Sequence, residues 1–376
     1  MMTPTEDGGS EPISQQLWID YCDTIKRVGR HLLKDGVPLD AFNQAEGLRY
    51  LTRMVRAGLE SIVESAEPEA PILANPTANH IKIGGDNPDN VYQTARIRSH
   101  YDYRIFGSRG DVPTLHFATK KGGYQKNNRE MAGTGFLDGR DLIIEPDGTF
   151  EILVSTQRPQ RGNWLPMEAG TNLLLIRQTF HDRGRERPAE LQISCLTADA
   201  APTHLDPETM AARLMAAARY TENTVTLFTD WALMFKREHH NTLPAGDQSI
   251  YQVAGGDPNI TYYHGYWELN DEEAMLIEVT PPECEFWNFQ VDNFWMESLD
   301  YRSHRIHLNT HTAAMNDDGS VTIVLAHRDP GHPNWVTTAG HRLGTSLFRI
   351  IGGTQCPNSI DTKIVRLDEV KLGRAS

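Results

Sequence analysis

The chain has 376 residues, of which 39% are hydrophobic and 23% charged, enough apolar content for a substantial core. A formal net charge of −14 argues against nucleic acid or an anionic membrane surface as partner, since both require a basic face. The acidic, polar start MMTPTEDGGSEP has no signal-peptide pattern, and no apolar run approaches the length of a bilayer span.

In chain order, residues 1–11 read as a disordered tail and residues 12–67 as a helical pair. Leu17, Trp18, Tyr21, Cys22, Ile25, Val28, Leu32 and Leu33 recur at helical spacing, and Asp35-Gly36 ends that run. A second stripe follows Pro38: Phe42, Ala45, Leu48, Leu51, Met54, Val55, Leu59, Ile62 and Val63. The two are expected to pack antiparallel on each other or on a sheet. Pro68, Pro71 and Pro76 make the next segment a linker.

A first β unit is expected over 80–200. It begins with the turn-rich Gly84–Asn90, whose proline and missing terminal glutamate spoil a calcium-loop pattern. Tyr103–Gly107 and Val112–Thr119 read as a hairpin joined by Ser108-Arg109-Gly110-Asp111. Residues 206–241 return to helical period, and a second β unit is expected over 256–370. In that unit Arg305–His311 and Ser320–Ala326 alternate as strands do, with turns at Asp318-Gly319 and Asp329-Pro330-Gly331.

The two β units are related. Asp147-Gly148, Pro159 and Asn163-Trp164 recur as Asp318-Gly319, Pro330 and Asn334-Trp335, all at an offset of 171. With one inserted residue, LLLIRQ (173–178) matches TSLFRI (345–350), which sets Arg177 against Arg349. Several matches in register over thirty residues indicate two copies of one unit. The fold class expected is therefore α+β and β-rich: two related sandwich units, an N-terminal helical pair, and a helical segment between the units.

The motifs TYYHGYWELNDEEAMLIE (261–278), FWNFQVDNFWMESLDYR (286–302) and the DG…DPG…NW…GHR run resemble the bacterial domain-of-unknown-function family twelve-fourteen. The resemblance implies a β-sandwich, jelly-roll-like fold, often paired with a second similar domain. It implies no activity and carries no catalytic residues.

The chemistry-bearing side chains gather in the second unit. Asp300-Tyr301-Arg302 precedes the histidine segment His304, His307 and His311. An aspartate beside an arginine stays ionised and can orient a histidine as general base, while a tyrosine can donate to a developing oxyanion. His307, His341, Asp300 and Tyr301 are the expected catalytic set. On an extended strand His307 and His311 share a face but stand about 13 Å apart, so no joint metal site and no cofactor are expected. His304, on the other face, is expected to pack. His264, Tyr266, Trp267, Trp295, Asn334 and Trp335 are the expected ligand contacts, although Asn-Trp occurs in both copies, which favours a loop brace for that pair. There is no nucleophile elbow or phosphate loop.

These readings lead to an enzyme acting by side-chain acid/base chemistry on a small, largely apolar molecule (terpenoid, steroid or aromatic) in a pocket of the second unit. The alternatives are a non-catalytic small-molecule binding protein and a metal-dependent enzyme with a composite site. Four scattered cysteines without a CxxC pair fit a cytoplasmic location, and exposed sheet edges lead to the expectation of a homo-oligomer.

Overall fold

The computed structural model describes residues 15–126, 130–197 and 205–370. Helices α1 (Gln15–Val28) and α2 (Ala41–Leu59) come first, and α2 continues into a wider π-turn, Glu60–Glu64. Asp40 caps α2 by accepting the Asn43 amide at 3.1 Å. The first unit holds β1 (Asn90–Arg96), β2 (Tyr103–Ser108), β3 (Thr114–Gly122), β4 (Met131–Asp138), β5 (Thr149–Ser155), β6 (Asn163–Pro166), β7 (Leu173–Thr179) and β8 (Glu190–Cys195). The long α3 (Pro207–Glu238) follows, capped by Asp206 with proline in its first turn. After β9 (Leu243–Pro244) and α4 (Gln248–Val253) come β10 (Ile260–Glu268), β11 (Glu273–Val279), β12 (Phe286–Val291), β13 (His307–Asn309), β14 (Val321–Ala326), β15 (Trp335–Thr337), β16 (Leu343–Ile351) and β17 (Ser359–Arg366).

Each unit is a two-sheet sandwich, and the strand orders correspond one for one. The first has sheets β1-β7-β3-β4 and β6-β5-β2-β8; the second has β10-β16-β12-β13 and β15-β14-β11-β17, with β9 added at the edge. Even the parallel pair recurs, β5 with β6 and β14 with β15. Inward residues of both sheets form one core per unit: Phe117, Ile152 and Ile176 in the first, Trp287, Ile323 and Phe348 in the second.

The Asn-Trp pairs occupy equivalent corners. Asn163 accepts the Ile143 amide (2.7 Å) and donates to the carbonyls of Ile143 (2.9 Å) and Glu151 (2.8 Å). Asn334 accepts the Ala314 amide (2.7 Å) and donates to the carbonyls of Ala314 (2.8 Å) and Thr322 (2.9 Å). Both asparagines pin a loop to a strand. Asn334 is buried, whereas the Asn163 corner is open to water. Asn334→Ala is therefore expected to cost about 2–4 kcal/mol and Asn163→Ala about 1–2 kcal/mol by urea denaturation; equal costs would show that burial of the corner does not matter.

Three local expectations change. The segments 103–107 and 112–119 are not a hairpin: β2 and β3 belong to opposite sheets of the first sandwich, and the Arg-Gly-Asp segment crosses between them. The histidine strand is only His307–Asn309, because Asn309 turns the chain by accepting the amides of His311 and Thr312. Helices α1 and α2 do not pair along each other; each packs along α3, which carries buried residues on several faces.

Candidate functional site

Strand β12 explains how the two sandwiches join. Trp287, Phe289 and Val291 point into their own core, while Asn288 and Gln290 are fully buried on the other face. That face meets the loop 84–90 of the first unit. Asn288 donates to Asn87 (2.6 Å) and Asp89 (3.0 Å), and Gln290 donates to the Asp86 carbonyl (2.9 Å). Asp86 accepts from the Ser298 amide (3.0 Å) and hydroxyl (2.8 Å). Lys82, its pKa lowered by burial, donates to Ser298 and Leu299.

The contact is reciprocal. Gly84-Gly85-Asp86 has its counterpart in Gly255-Gly256-Asp257, at the same offset of 171 (255 against 84). Arg349 of the second unit donates to the Gly85 carbonyl and to Gln290 Oε1 at 2.5 Å. Arg177 of the first unit donates to the Gly255 carbonyl (3.3 Å) and pairs with Asp257 (3.0 Å). Each unit thus lays its Gly-Gly-Asp loop on the arginine of the other. A Cβ at Gly84 would stand 2.4 Å from the Phe228 ring, and the residue's φ is +61°, so only glycine fits this close approach to α3.

Between the loops lies a cavity of about 250 Å³. Equivalent positions of the two units face each other across it: Tyr92 and Tyr262, Thr94 and His264, Leu175 and Leu347, Arg177 and Arg349. Cross-strand pairing sets Tyr92 beside Arg177 and Tyr262 beside Arg349. Tyr220, Phe228 and Trp231 of α3 cover the space, with Tyr251 of α4 and Tyr124 beside them. Arg96 lines the wall too, donating from Nε to the carbonyl of Ser61 in the π-turn after α2 (3.1 Å); such turns recur at functional sites.

His264 is the chemically versatile group in this wall. Its ring stacks on Phe235 (4.8 Å) and lies against Tyr251 (4.6 Å). Burial, with the positive charge of Arg349, holds its pKa well below the ordinary value, so the imidazole is neutral.

Of the residues expected to form the site, His264 alone lines this cavity. His307 instead meets Asp89 of the first unit at 3.2 Å, with Tyr301 at its edge (6.3 Å). His341 sits under α2, its ring against Phe42 (4.7 Å) and its Nε2 4.0 Å from Glu46. These two histidines have separate surroundings and do not form a pair. Asp300 is clamped by Arg302 (2.8 Å), which holds its pKa down to about 2. His304 lies exposed in a turn, and His311 stacks on His181 (3.6 Å). Tyr266 and Trp295 are buried against the helical layer, Trp295 stacking on Tyr50, while Trp267 fills the second core. Asn334 and Trp335 brace a loop corner, Trp335 donating to the Ala326 carbonyl (3.1 Å). Among the described residues no cluster of three or more His, Cys, Asp or Glu side chains could hold a metal ion.

The arginines and the Gly-Gly-Asp loops that join the two units are not among the residues expected from the sequence. The repeat already aligned Arg177 with Arg349; carrying the same offset upstream would have matched the loops as well.

The family described as protein of unknown function (DUF1214) matches residues 100–181 and 270–355, one segment in each sandwich. The chain belongs to this family. It is similar to the crystal structure of an uncharacterized protein from Burkholderia cenocepacia, with 48% identity, 94% of this chain and 98% of that one covered, and a TM-score of 0.91. The VPA0106 protein from Vibrio parahaemolyticus shares the fold at 11% identity, with 91% of this chain and all of that one covered (100%) and a TM-score of 0.50. No curated protein matches the chain.

Proposed function

We propose that the chain binds a small, largely apolar molecule in the cavity between its two sandwiches. One observation carries this reading. The cavity is lined by seven aromatic side chains (Tyr92, Tyr124, Tyr220, Phe228, Trp231, Tyr251 and Tyr262), together with a few convergent polar groups. Such a lining supports a ligand site, and the volume suits a molecule of on the order of ten heavy atoms. Both units and α3 are needed to enclose it, which gives the duplicated architecture a use.

A catalytic version of the same reading draws on His264. A neutral imidazole facing a bound molecule can take up a proton, so isomerisation or hydration would run through it rather than through His307 or His341. The four cysteines are unpaired, which fits a cytoplasmic setting. No described helix is long and apolar enough to cross a membrane.

Calorimetric titration with a panel of aromatic and terpenoid compounds tests the reading. Saturable one-to-one binding is expected, weakened at least tenfold by Trp231→Ala with the melting cooperativity retained. Binding untouched by Trp231→Ala, and lost instead in His307→Ala, would move the site to the second unit and overturn the proposal.

A further inference from the structure

We infer that the molecule bound in this cavity carries a hydroxyl group that donates to the ring of His264, with its apolar body against Trp231 and Phe228. The inference rests on the cavity being a ligand site and adds the ligand's functional group and the side chain that anchors it.

His264 pairs with Leu347 as Thr94 pairs with Leu175 in the first unit, so the duplication itself does not dictate an imidazole at this position. Phe235 (4.8 Å) and Tyr262 (6.1 Å) are stacked with its ring, and Tyr251 (4.6 Å) and Trp231 (6.1 Å) lie against it at steeper angles. Phe228 follows at 5.5 Å from Trp231, so His264, Trp231 and Phe228 form one continuous stretch of the wall. His264 is only 3% exposed, and among the described residues neither of its ring nitrogens has a hydrogen-bond partner. Neither nitrogen is occluded, in contrast to Nδ1 of His307 and Nε2 of His341, which are shut in without a partner. Because His264 lines the cavity, the open space its nitrogens meet is the cavity.

Burial, then the charges of Arg349 and His239, keeps the imidazole neutral. A neutral imidazole has one N–H and one bare nitrogen, and the bare nitrogen needs a donor. The neighbouring polar groups are already engaged: Arg349 donates to Gly85 and Gln290, and the Tyr262 hydroxyl accepts the Asp257 amide at 2.9 Å. The donor must therefore come from the ligand. A hydrocarbon or an ether would leave the bare nitrogen dry and unpaired, and a carboxylate brings no donor either. An ammonium donates but meets the positive charge of Arg349, which already acts on this ring. A hydroxyl donates without a charge, and it can accept from the N–H when the other tautomer is present.

Matched compounds test this by calorimetry on the full-length protein. 4-Ethylphenol is titrated beside 4-ethylanisole and 4-ethylbenzoate, and 3-phenylpropan-1-ol beside its methyl ether. At least one hydroxyl compound is expected to bind at least tenfold tighter than its ether and than 4-ethylbenzoate. The pair with the larger preference assigns a phenol or an alkanol, and either supports the anchor. His264→Phe, which suits the surrounding rings, should reduce the preference to within about twofold while leaving the ethers' affinity within about threefold. Nitrogen-15 spectra of the unaltered, histidine-labelled protein need no folded variant: the preferred hydroxyl compound should shift the bare nitrogen of one imidazole, and its ether should not. Ethers binding as tightly as the hydroxyl compounds, or 4-ethylbenzoate binding more tightly than both, overturns the hydroxyl anchor but leaves the ligand site standing. A preference that survives His264→Phe overturns the role of His264. Binding of no compound overturns both the anchor and the site.

Discussion

Arg53→Met is expected to lower the unfolding free energy by about 3–5 kcal/mol. Arg53 projects from α2 and meets Glu297 at 2.7 Å, with the two side chains 14% and 1% exposed. Glu297 also accepts from Asn293 at 2.9 Å, and burial raises its pKa against the pull of Arg53. Without the arginine a carboxylate is left in a dry site and must either stay charged or take up a proton, and both cost stability. The loss should therefore be larger at pH 8 than at pH 5. Arg53→Met combined with Glu297→Gln removes the stranded charge and should recover most of the loss. Urea denaturation of the two single variants and the double variant checks this. A single variant costing under about 1 kcal/mol, or a double variant costing the sum of the singles, would show that the pair does not hold the helical layer to the second sandwich.

Asp292→Asn is expected to stabilise the protein at pH 8 and above by up to about 4 kcal/mol. Asp292 is buried at the end of β12; it accepts from Gln290 at 2.6 Å and faces Asp86, Arg349 and Lys82. Burial, opposed in part by the Gln290 hydrogen bond, pushes its pKa from 3.8 up to about 7. Between those values the folded chain keeps a proton that the unfolded chain has released. Stability from this group is therefore present below about pH 4, is lost as pH rises towards 7, and is wholly gone above it. Asparagine cannot ionise, so the variant should lack that slope. The buried histidines act the other way: His264 and His341 have lowered pKa values and cost stability as pH falls below 6.5. The difference between protein and variant isolates Asp292. Melting temperatures from pH 5 to 9 with the same slope in both would contradict the assignment.

The repeat was legible because it is written in turn residues. Asp147-Gly148 and Asp318-Gly319 each close a turn with an aspartate that accepts the amide and hydroxyl two residues on, and chemistry that local survives in sequence. The helices were legible from their stripes, but their partners were not, since a stripe does not say what it packs on. The site was least legible. The density of histidine, aspartate and tyrosine in 286–349 pointed to one pocket, yet β12 and β13 turn those groups in three directions: into the core, onto the loop of the first unit, and under α2. The cavity draws instead on outward positions of β1, β7, β10 and β16, whose members are about 170 residues apart in pairs. No local pattern announces such a site; the repeat offset was the only signal that reaches across it.

The most direct test is a crystal of the protein soaked with 3-(4-bromophenyl)propan-1-ol and measured at the bromine edge. One strong anomalous peak is expected beside Phe228 and Trp231, in the cavity between the sandwiches. A bromine ordered beside His307 or His341, with the cavity between the sandwiches holding only water, would contradict it.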